Sequence, residues 1–439
     1  MENSGLKRSL TLVTVFTLIT GAMVGMAWAV LPNILFGYAG PALLLSVVIA
    51  AAFCMFIGLC YAELCAAMPF AGGEYHYTKV AMGKFFSFIT GWFLVVAYSA
   101  MMPGEIIILS KVLAMLITSI PKWLIGIILA LIFGGINLIG IRISAVLQFV
   151  FSLVLFLGMA IFIFGGWGNI HWENFTPFFD GHVGGMLMMV PIGMLAFMGF
   201  DIVPQAAEEV KSPINKVVYM IPLSIAFVCF FYVGAFFTAA GNMPPAQIAQ
   251  IKAEVPLIEV AKLFLGDTGA MIILVAGIMG LITTLNAFVI GASRLMLGMA
   301  REGVLPESLA KVSQKYGTPY WAIILITFFG ILGAIFQQLF MVFQIASSAI
   351  LIAFILVIIS FIILRKKRPD MERPYVVPLY PLTPIIALFG SIAAFLFSLI
   401  SFESWIHWVI FGAATILGLF YYVSRVKNRE LKETMTNLS

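Results

Sequence analysis

The sequence runs in long apolar blocks, such as Leu124–Leu138 and Ala349–Leu364, that contain no charged residue. A water-facing fold has no use for such blocks, because it needs polar residues at every turn to cover its outer face. Only 10% of the residues are charged and 62% are hydrophobic, where a soluble domain carries about a quarter charged residues. The solvent of most of this chain is therefore lipid. Within a bilayer each spanning segment must satisfy its own backbone, which leaves helices or closed barrels. Barrel strands are short and alternate in hydrophobicity, whereas these blocks are long and uniformly apolar, so the chain is all-α. The block that begins at Leu10 follows Lys7 and Arg8 and so resembles a signal peptide. A signal peptide, however, has a short apolar core and a small-residue cleavage site. This block is long, holds Gly21 and Gly25, and is followed by more helices, so it reads as a first span.

Windows of about 20 apolar residues predict twelve spans, at 10–36, 41–67, 85–118, 122–141, 144–166, 185–207, 215–241, 267–298, 319–338, 340–364, 383–401 and 404–424. The third and eighth are long enough to tilt or to project beyond the bilayer. Twelve spans put both termini on one side. Alternate loops then divide the 24 Lys and Arg residues unevenly, with 20 on the side of the termini and only Lys111, Lys122, Lys252 and Lys262 on the other. The positive-inside rule makes the first side cytoplasmic, and the expected setting is the cell (plasma) membrane, multi-pass, with both termini cytoplasmic. The net charge of +5 thus reflects topology, and no nucleic-acid partner is expected. Cys54, Cys60, Cys65 and Cys229 all fall in apolar blocks, where free cysteine acts as a small hydrophobe, so no disulfide-linked subunit is expected. There is no Walker loop, zinc spacing or Ser/His/Asp signature, so no cofactor, metal or enzymatic activity is predicted. His171 and His182 share one outer loop, 167–184, and two scattered histidines there read as surface.

In transporters the substrate often sits at mid-membrane, where helices are interrupted at matching positions of two repeats. The first predicted span carries Gly21-Ala22-Met23-Val24-Gly25, and the sixth carries Phe197-Met198-Gly199-Phe200-Asp201 with Pro204 a turn later. Spans one and six are five apart, as inverted repeats of five helices require. A broken helix frees N–H groups that attract anions and carbonyls that attract cations. Equally, these glycines can serve only to let helices pack closely. Two acids fall at the same depth. Glu105 lies in the middle of the third span beside Pro103-Gly104, and Asp201 lies in the sixth-span break. A carboxylate at mid-bilayer is by default a functional group. Glu105 reads as the counter-charge to a cationic substrate, as a proton carrier, or as a helix–helix hydrogen bond. Asp201 reads as a gate or proton site, or as a cap on the broken helix. Glu208 and Glu209 fall where the sixth span leaves the membrane and are expected to be wetted.

Six stretches in order along the chain carry a family resemblance. They are Pro69–Tyr77 with Gly91-Trp92; Phe197–Asp201 with Ala207–Pro213; Thr284–Ala287; Ala292–Arg294 with Met299–Pro306; Gly317–Pro319; and Arg368–Pro374 with Val377–Pro381. Together they resemble the amino acid–polyamine–organocation permeases, within which the chain is most similar to amino acid and amine transporters. The resemblance implies a single transporter domain of two inverted five-helix repeats, about 10–166 and 185–364, with two extra helices at about 383–424, and with helices one and six broken. It implies a secondary transporter of an amino acid or organic amine working by alternating access, coupled to protons or running as an exchanger, as a monomer or homodimer. By position, the first break supplies Gly21, Ala22, Gly25, Met26 and Ala27 to the substrate carboxylate, and the sixth supplies Leu195, Phe197, Gly199 and Phe200 to the ammonium. Met102 and Glu105 on the third span and Phe288 on the eighth complete the implied site, with Glu105 and Asp201 as gating or proton groups.

Three departures bear on the substrate and its coupling. Where the family has a small triplet in the first break, this chain reads Gly25-Met26-Ala27, and side chains there restrict close approach of a carboxylate. Glu105 adds a negative charge nearby. Both tilt the expected substrate toward an organic amine, or an amino acid with a small or cationic side chain. In the fifth span, Leu155 stands where some proton-coupled members carry lysine. Thr283 and Thr284 leave a sodium-coupled symporter as an alternative. A divalent-metal carrier needs ligands that the first span lacks. A non-transporting sensor on the same fold is the other alternative; it would append a signalling domain, and the predicted tail is only 425–439. An intramembrane enzyme needs a facing nucleophile and base, and no such pair is visible.

Overall fold

A computed structural model describes residues 6–25, 27–179, 183–400 and 405–427, so Met26 and His182 lie outside it, and of Ala27 only the backbone is described. Among the described residues the chain is helical with no strand, in the order α1 Leu12–Met23, α2 Ala27–Val30, α3 Pro32–Ala39, α4 Leu43–Ala67, α5 Gly73–Met82, α6 Lys84–Leu116, α7 Lys122–Ile139, α8 Ile141–Gly166 and α9 Val183–Ala196. There follow α10 Ile202–Ala206, α11 Ile214–Val217, α12 Met220–Asn242, α13 Pro245–Ala249, α14 Pro256–Arg301, α15 Tyr320–Phe336, α16 Leu339–Lys367, α17 Leu382–Ile400 and α18 Trp405–Tyr421. Ten helical stretches among the described residues are long and apolar enough to cross a membrane, and α9 and α15 are shorter apolar helices.

The outer face is what a lipid-solvated helix bundle requires. Along α8, Phe149, Leu153, Leu157, Ile161 and Phe164 are all exposed, at the three- and four-residue spacing of one helical face. Their burial by lipid replaces burial by protein. The inner face is built from α1, α6 and α14, the most enclosed of the apolar helices, with α8 and α16 packed against them. At 33 residues α6 is about 50 Å long, well beyond a hydrocarbon core of about 30 Å. α1 starts on a capping box in which the Thr11 hydroxyl accepts from the Thr14 N–H and the Thr14 hydroxyl accepts from the Thr11 N–H, so donors left over at a helix start are satisfied locally.

The interruptions fall near the expected places. α1 stops at Met23, one residue short of Val24-Gly25, so Gly21 and Ala22 remain helical and the break is narrower than the glycine pair suggests. The segment 197–201 separates α9 from α10. The eighth span, expected to begin at 267, instead continues a helix from Pro256, bent at Gly266. α5, between α4 and α6, is a helix that hydropathy did not mark as an element.

The basic loops gather at one end of the bundle, where they are tied by ion pairs. Arg294 makes a two-pronged pair with Glu209, Nε to Oε2 at 2.8 Å and Nη2 to Oε1 at 3.1 Å. Glu208 accepts from Arg301 at 3.0 Å and from the Ala71 N–H at 3.0 Å. Both acids were expected to be wetted. Instead Glu209 is fully buried, because Arg294 arrives from α14 on the same side and compensates its charge. Arg365 and Arg373 converge on buried Glu63 at 2.5 Å and 3.1 Å. The Ser9 and Leu10 N–H groups donate to the Glu209 carbonyl at 2.9 Å and 3.0 Å, and the Lys211 N–H donates to the Leu10 carbonyl at 2.8 Å, so the N-terminal segment is strapped across the same end.

Candidate functional site

Between the two breaks lies a cavity of about 410 Å³. It reaches the surface beside Tyr38, Met188 and Ile400, all exposed, at the end away from the ion pairs. Its floor is formed by Ala22, Met23 and Gly25 of the first break, Met198 of the second, Glu105 of α6 and Thr284 of α14. Its walls come from α3, α9 and α16, including Ile34, Leu35, Ile192, Leu195, Leu339 and Phe343.

The sequence builds this floor by ending two helices at one place. α1 ends at Met23, and α9 ends at Ala196. Both present carbonyl ends, where the helix dipole is negative. Tyr232 of α12 stitches the two ends together, its hydroxyl lying 2.7 Å from the Met23 carbonyl and 3.4 Å from that of Ala196. Glu105 adds a carboxyl group, whose charge when ionised has the same sign as those helix ends. It is 2% exposed, and its Oε2 has no hydrogen-bond partner among the described residues. No described residue lining the cavity is basic. A buried carboxylate with two helix C-termini beside it and no cation is a site that a positive group or a proton completes.

Two glycines are required by contact. A Cβ on Gly25 would meet Thr284 Oγ1 at 2.6 Å and Glu105 Oε1 at 3.0 Å, so only glycine leaves the carboxylate open to the floor. Gly199 has φ of +135°, and a Cβ there would lie 2.6 Å from that of Ala22, which makes it the point where the two breaks touch. Gly25→Ala is expected to leave the fold intact and weaken substrate binding roughly tenfold, an overpacking penalty of about 1–2 kcal/mol, read as a rise in the half-saturating concentration for uptake.

Of the residues implicated by sequence, Ala22, Gly25, Glu105 and Leu195 line the cavity together. Gly21 lies behind the floor, its carbonyl accepting from Thr284 Oγ1 at 3.0 Å. Met102 turns away toward Gly330 of α15, and its neighbour Met101 faces the cavity instead. Phe197 packs edge-on against Tyr232 at 5.5 Å, at a small adjoining void. Phe200, Phe288 and Asp201 lie on the closed side. Phe200 is wedged between Tyr61 and Phe354, each at 5.5 Å, and Phe288 packs against Tyr98 at 5.8 Å. Asp201 accepts from the Tyr98 hydroxyl at 2.5 Å and the Gly199 N–H at 2.8 Å; its side chain makes no capping bond to α10 but closes a turn within the break and bonds it to α6. Thr283 Oγ1 donates to the Gly280 carbonyl at 2.8 Å. A Cβ on Gly280 would meet the Val24 and Gly25 carbonyls and Leu155, so an apolar side chain stands beside the carbonyls freed by the first break.

Sequence reasoning missed the sulfur-rich lining, in which Met23, Met101, Met188, Met189 and Met198 all face the cavity. A helical-face count on α9 would have found only part of it, since these residues come from four separate elements. Among the described residues no three His, Cys, Asp or Glu side chains come together to hold a metal.

The sequence model of the amino acid permease family matches residues 10–421. The chain belongs to the amino acid permease family. It is a transporter and not an enzyme, and it sits within the amino acid–polyamine–organocation superfamily. Among its relatives, the methylthioribose transporter of Bacillus subtilis (strain 168) is 30% identical over 405 residues, covering 88% of this chain and 86% of the relative. The branched-chain amino acid permease BcaP of the same organism is 30% identical over 444 residues, covering 95% and 92%. Its serine/threonine exchanger SteT is 26% identical over 406 residues, covering 89% and 91%. The permease is thus matched along nearly its whole length, and both breaks fall within the matched region.

Proposed function

We propose that this permease is a secondary carrier of an amino acid or organic amine with an apolar body, coupled to protons or running by exchange, with the substrate ammonium held at Glu105. The observation that carries this reading is the unpartnered Glu105 carboxylate at the meeting of two helix C-termini, in a cavity with no basic residue. The methionine, isoleucine and leucine walls favour an apolar side chain over a small polar one, since thioethers adapt to irregular apolar shapes. The branched-chain substrate in one relative's name fits those walls. On this reading the ten long and two shorter apolar helices make twelve spans. The breaks at α1–α2 and α9–α10 mark two inverted five-helix repeats, with α17 and α18 outside them. The basic end, with both termini, is cytoplasmic in the plasma membrane, and the protein is captured open to the opposite side.

Purified protein in liposomes preloaded with unlabelled leucine is expected to take up labelled leucine by counterflow. Isoleucine and 3-methylbutylamine should compete, and glutamate should not. Competition by glutamate as strong as by isoleucine would rule this reading out.

A further inference from the structure

Below the cavity, in the closed half, a second buried acid takes no part in the site described above. Glu74 lies in the first turn of α5 and is 0% exposed. Its carboxylate accepts one side-chain hydrogen bond, from the Gln205 amide of α10. Its Oε1 has no hydrogen-bond partner among the described residues, and neither have the buried Gln205 Oε1 and Tyr61 hydroxyl. Of the other enclosed acids, Glu105 belongs to the cavity floor, Glu63 is paired with two arginines and Glu209 with Arg294, and Asp201 accepts from two donors. Glu74 has one neutral amide. The titratable groups that reach it are Tyr61 and Cys65 of α4, Tyr77 of its own helix, Tyr98 of α6, and Asp201 of the second break. None is a cation. From α14, Arg301 and Glu302 pair with Glu208 and Lys79; from α16, Arg365 is held by Glu63. An isolated carboxylate in such a place neutralises by taking a proton. Burial, with the charge of Asp201 second, holds the Glu74 carboxyl well above the usual carboxylate range.

The position of Glu74 links it to opening of the closed end. A Cβ on Gly73, the preceding residue, would lie 2.5 Å from the Pro204 side chain of α10, and Gly72 meets Gly298 of α14 backbone to backbone. α5 is thus wedged between α10 and α14. Any movement that opens this end parts α5 from α10, separates Glu74 from Gln205, and admits water. A carboxyl held high by burial returns to its ordinary value when wetted and releases its proton at neutral pH. We propose that Glu74 is a proton-carrying site in the closed half of the permease, loaded while the cavity is open at the far end and unloaded when α5 and α10 part. One proton is bound to one carboxylate oxygen in the first state and is lost to water in the second, with no other group changed. The inference rests on the carrier reading above, and it makes the coupling ion a proton.

The test uses full-length protein in liposomes. With the interior alkaline by one pH unit, wild type should accumulate leucine about tenfold beyond equilibration, the ratio that one proton per substrate sets. Glu74→Gln should retain leucine counterflow and lose that accumulation. Unchanged gradient-driven accumulation in E74Q overturns the inference, and so does a wild type that exchanges leucine but ignores the gradient. A wild type that neither exchanges nor accumulates leucine overturns the carrier reading and this inference with it. If E74Q does not fold, infrared spectra of E105Q protein at neutral pH decide the matter. A protonated-carboxyl band that persists when Asp201→Asn is added supports the assignment, since Glu63 and Glu209 are paired with arginines, and its absence overturns it.

Discussion

Glu105→Gln is expected to abolish leucine uptake and counterflow while leaving the thermal melt of the ligand-free protein within a few degrees of wild type. The two side chains are nearly isosteric, and Glu105 Oε2 has no hydrogen-bond partner to lose among the described residues, so the fold has little stake in the charge. The substrate has a large one. Removing one member of a buried charged pair weakens binding by about 2–5 kcal/mol, at least about 30-fold in affinity. The change should therefore appear in ligand-induced stabilisation as well as in transport. Full uptake in E105Q would place the ammonium elsewhere. Glu105→Asp withdraws the carboxylate by one methylene from the floor beside Gly25 and is expected to give an intermediate affinity.

The second large effect concerns the ion pair that closes the basic end. Arg294 and Glu209 are 1% and 0% exposed and meet through two hydrogen bonds. Breaking such a pair leaves an uncompensated buried charge, at a cost of about 3–5 kcal/mol. Arg294→Met alone is expected to lower the melting temperature strongly and to release the strap at Ser9–Leu10, because the Glu209 backbone carbonyl is its anchor. Glu209→Gln is expected to lower stability less, since the amide can still accept from Arg294. Combining Arg294→Met with Glu209→Leu should recover much of the loss, because replacing both charges by apolar groups is close to neutral. A double variant no more stable than Arg294→Met alone would show that the arginine acts through some other contact.

The sequence makes the membrane character and the place of the breaks legible for physical reasons. Apolar length has one solution in a bilayer, and glycines at matched positions in two apolar blocks are rare enough to point to an interruption. The same reasoning located Glu105, because a carboxylate at mid-span has few structural uses. It did not distinguish Met101 from Met102, which differ by about 100° around α6, and no apolar periodicity separates the cavity face from the α15 face of a helix buried on all sides. It also placed Phe288 at the substrate by position alone. In the structure Tyr98 lies against that ring and Asp201 bonds to Tyr98, and pairings between residues a hundred or more positions apart leave no local signal. Glu209 was misread for the same reason: its partner Arg294 lies 85 residues away. Glu74 lay within the stretch Pro69–Tyr77 that carried the family resemblance, yet its burial follows from α5 folding back between α10 and α14, which hydropathy does not encode.

In the proposed carrier the floor of the cavity selects an ammonium group and its walls an apolar body. The most direct measurement is the thermal shift of purified wild-type protein with leucine, with 3-methylbutylamine, which lacks the carboxylate, and with 4-methylpentanoate, which lacks the amine. Stabilisation follows ligand affinity by mass action. Leucine and the amine are expected to raise the melting temperature, and the acid is not. A shift with the acid equal to that with leucine, together with none from the amine, would contradict that selection.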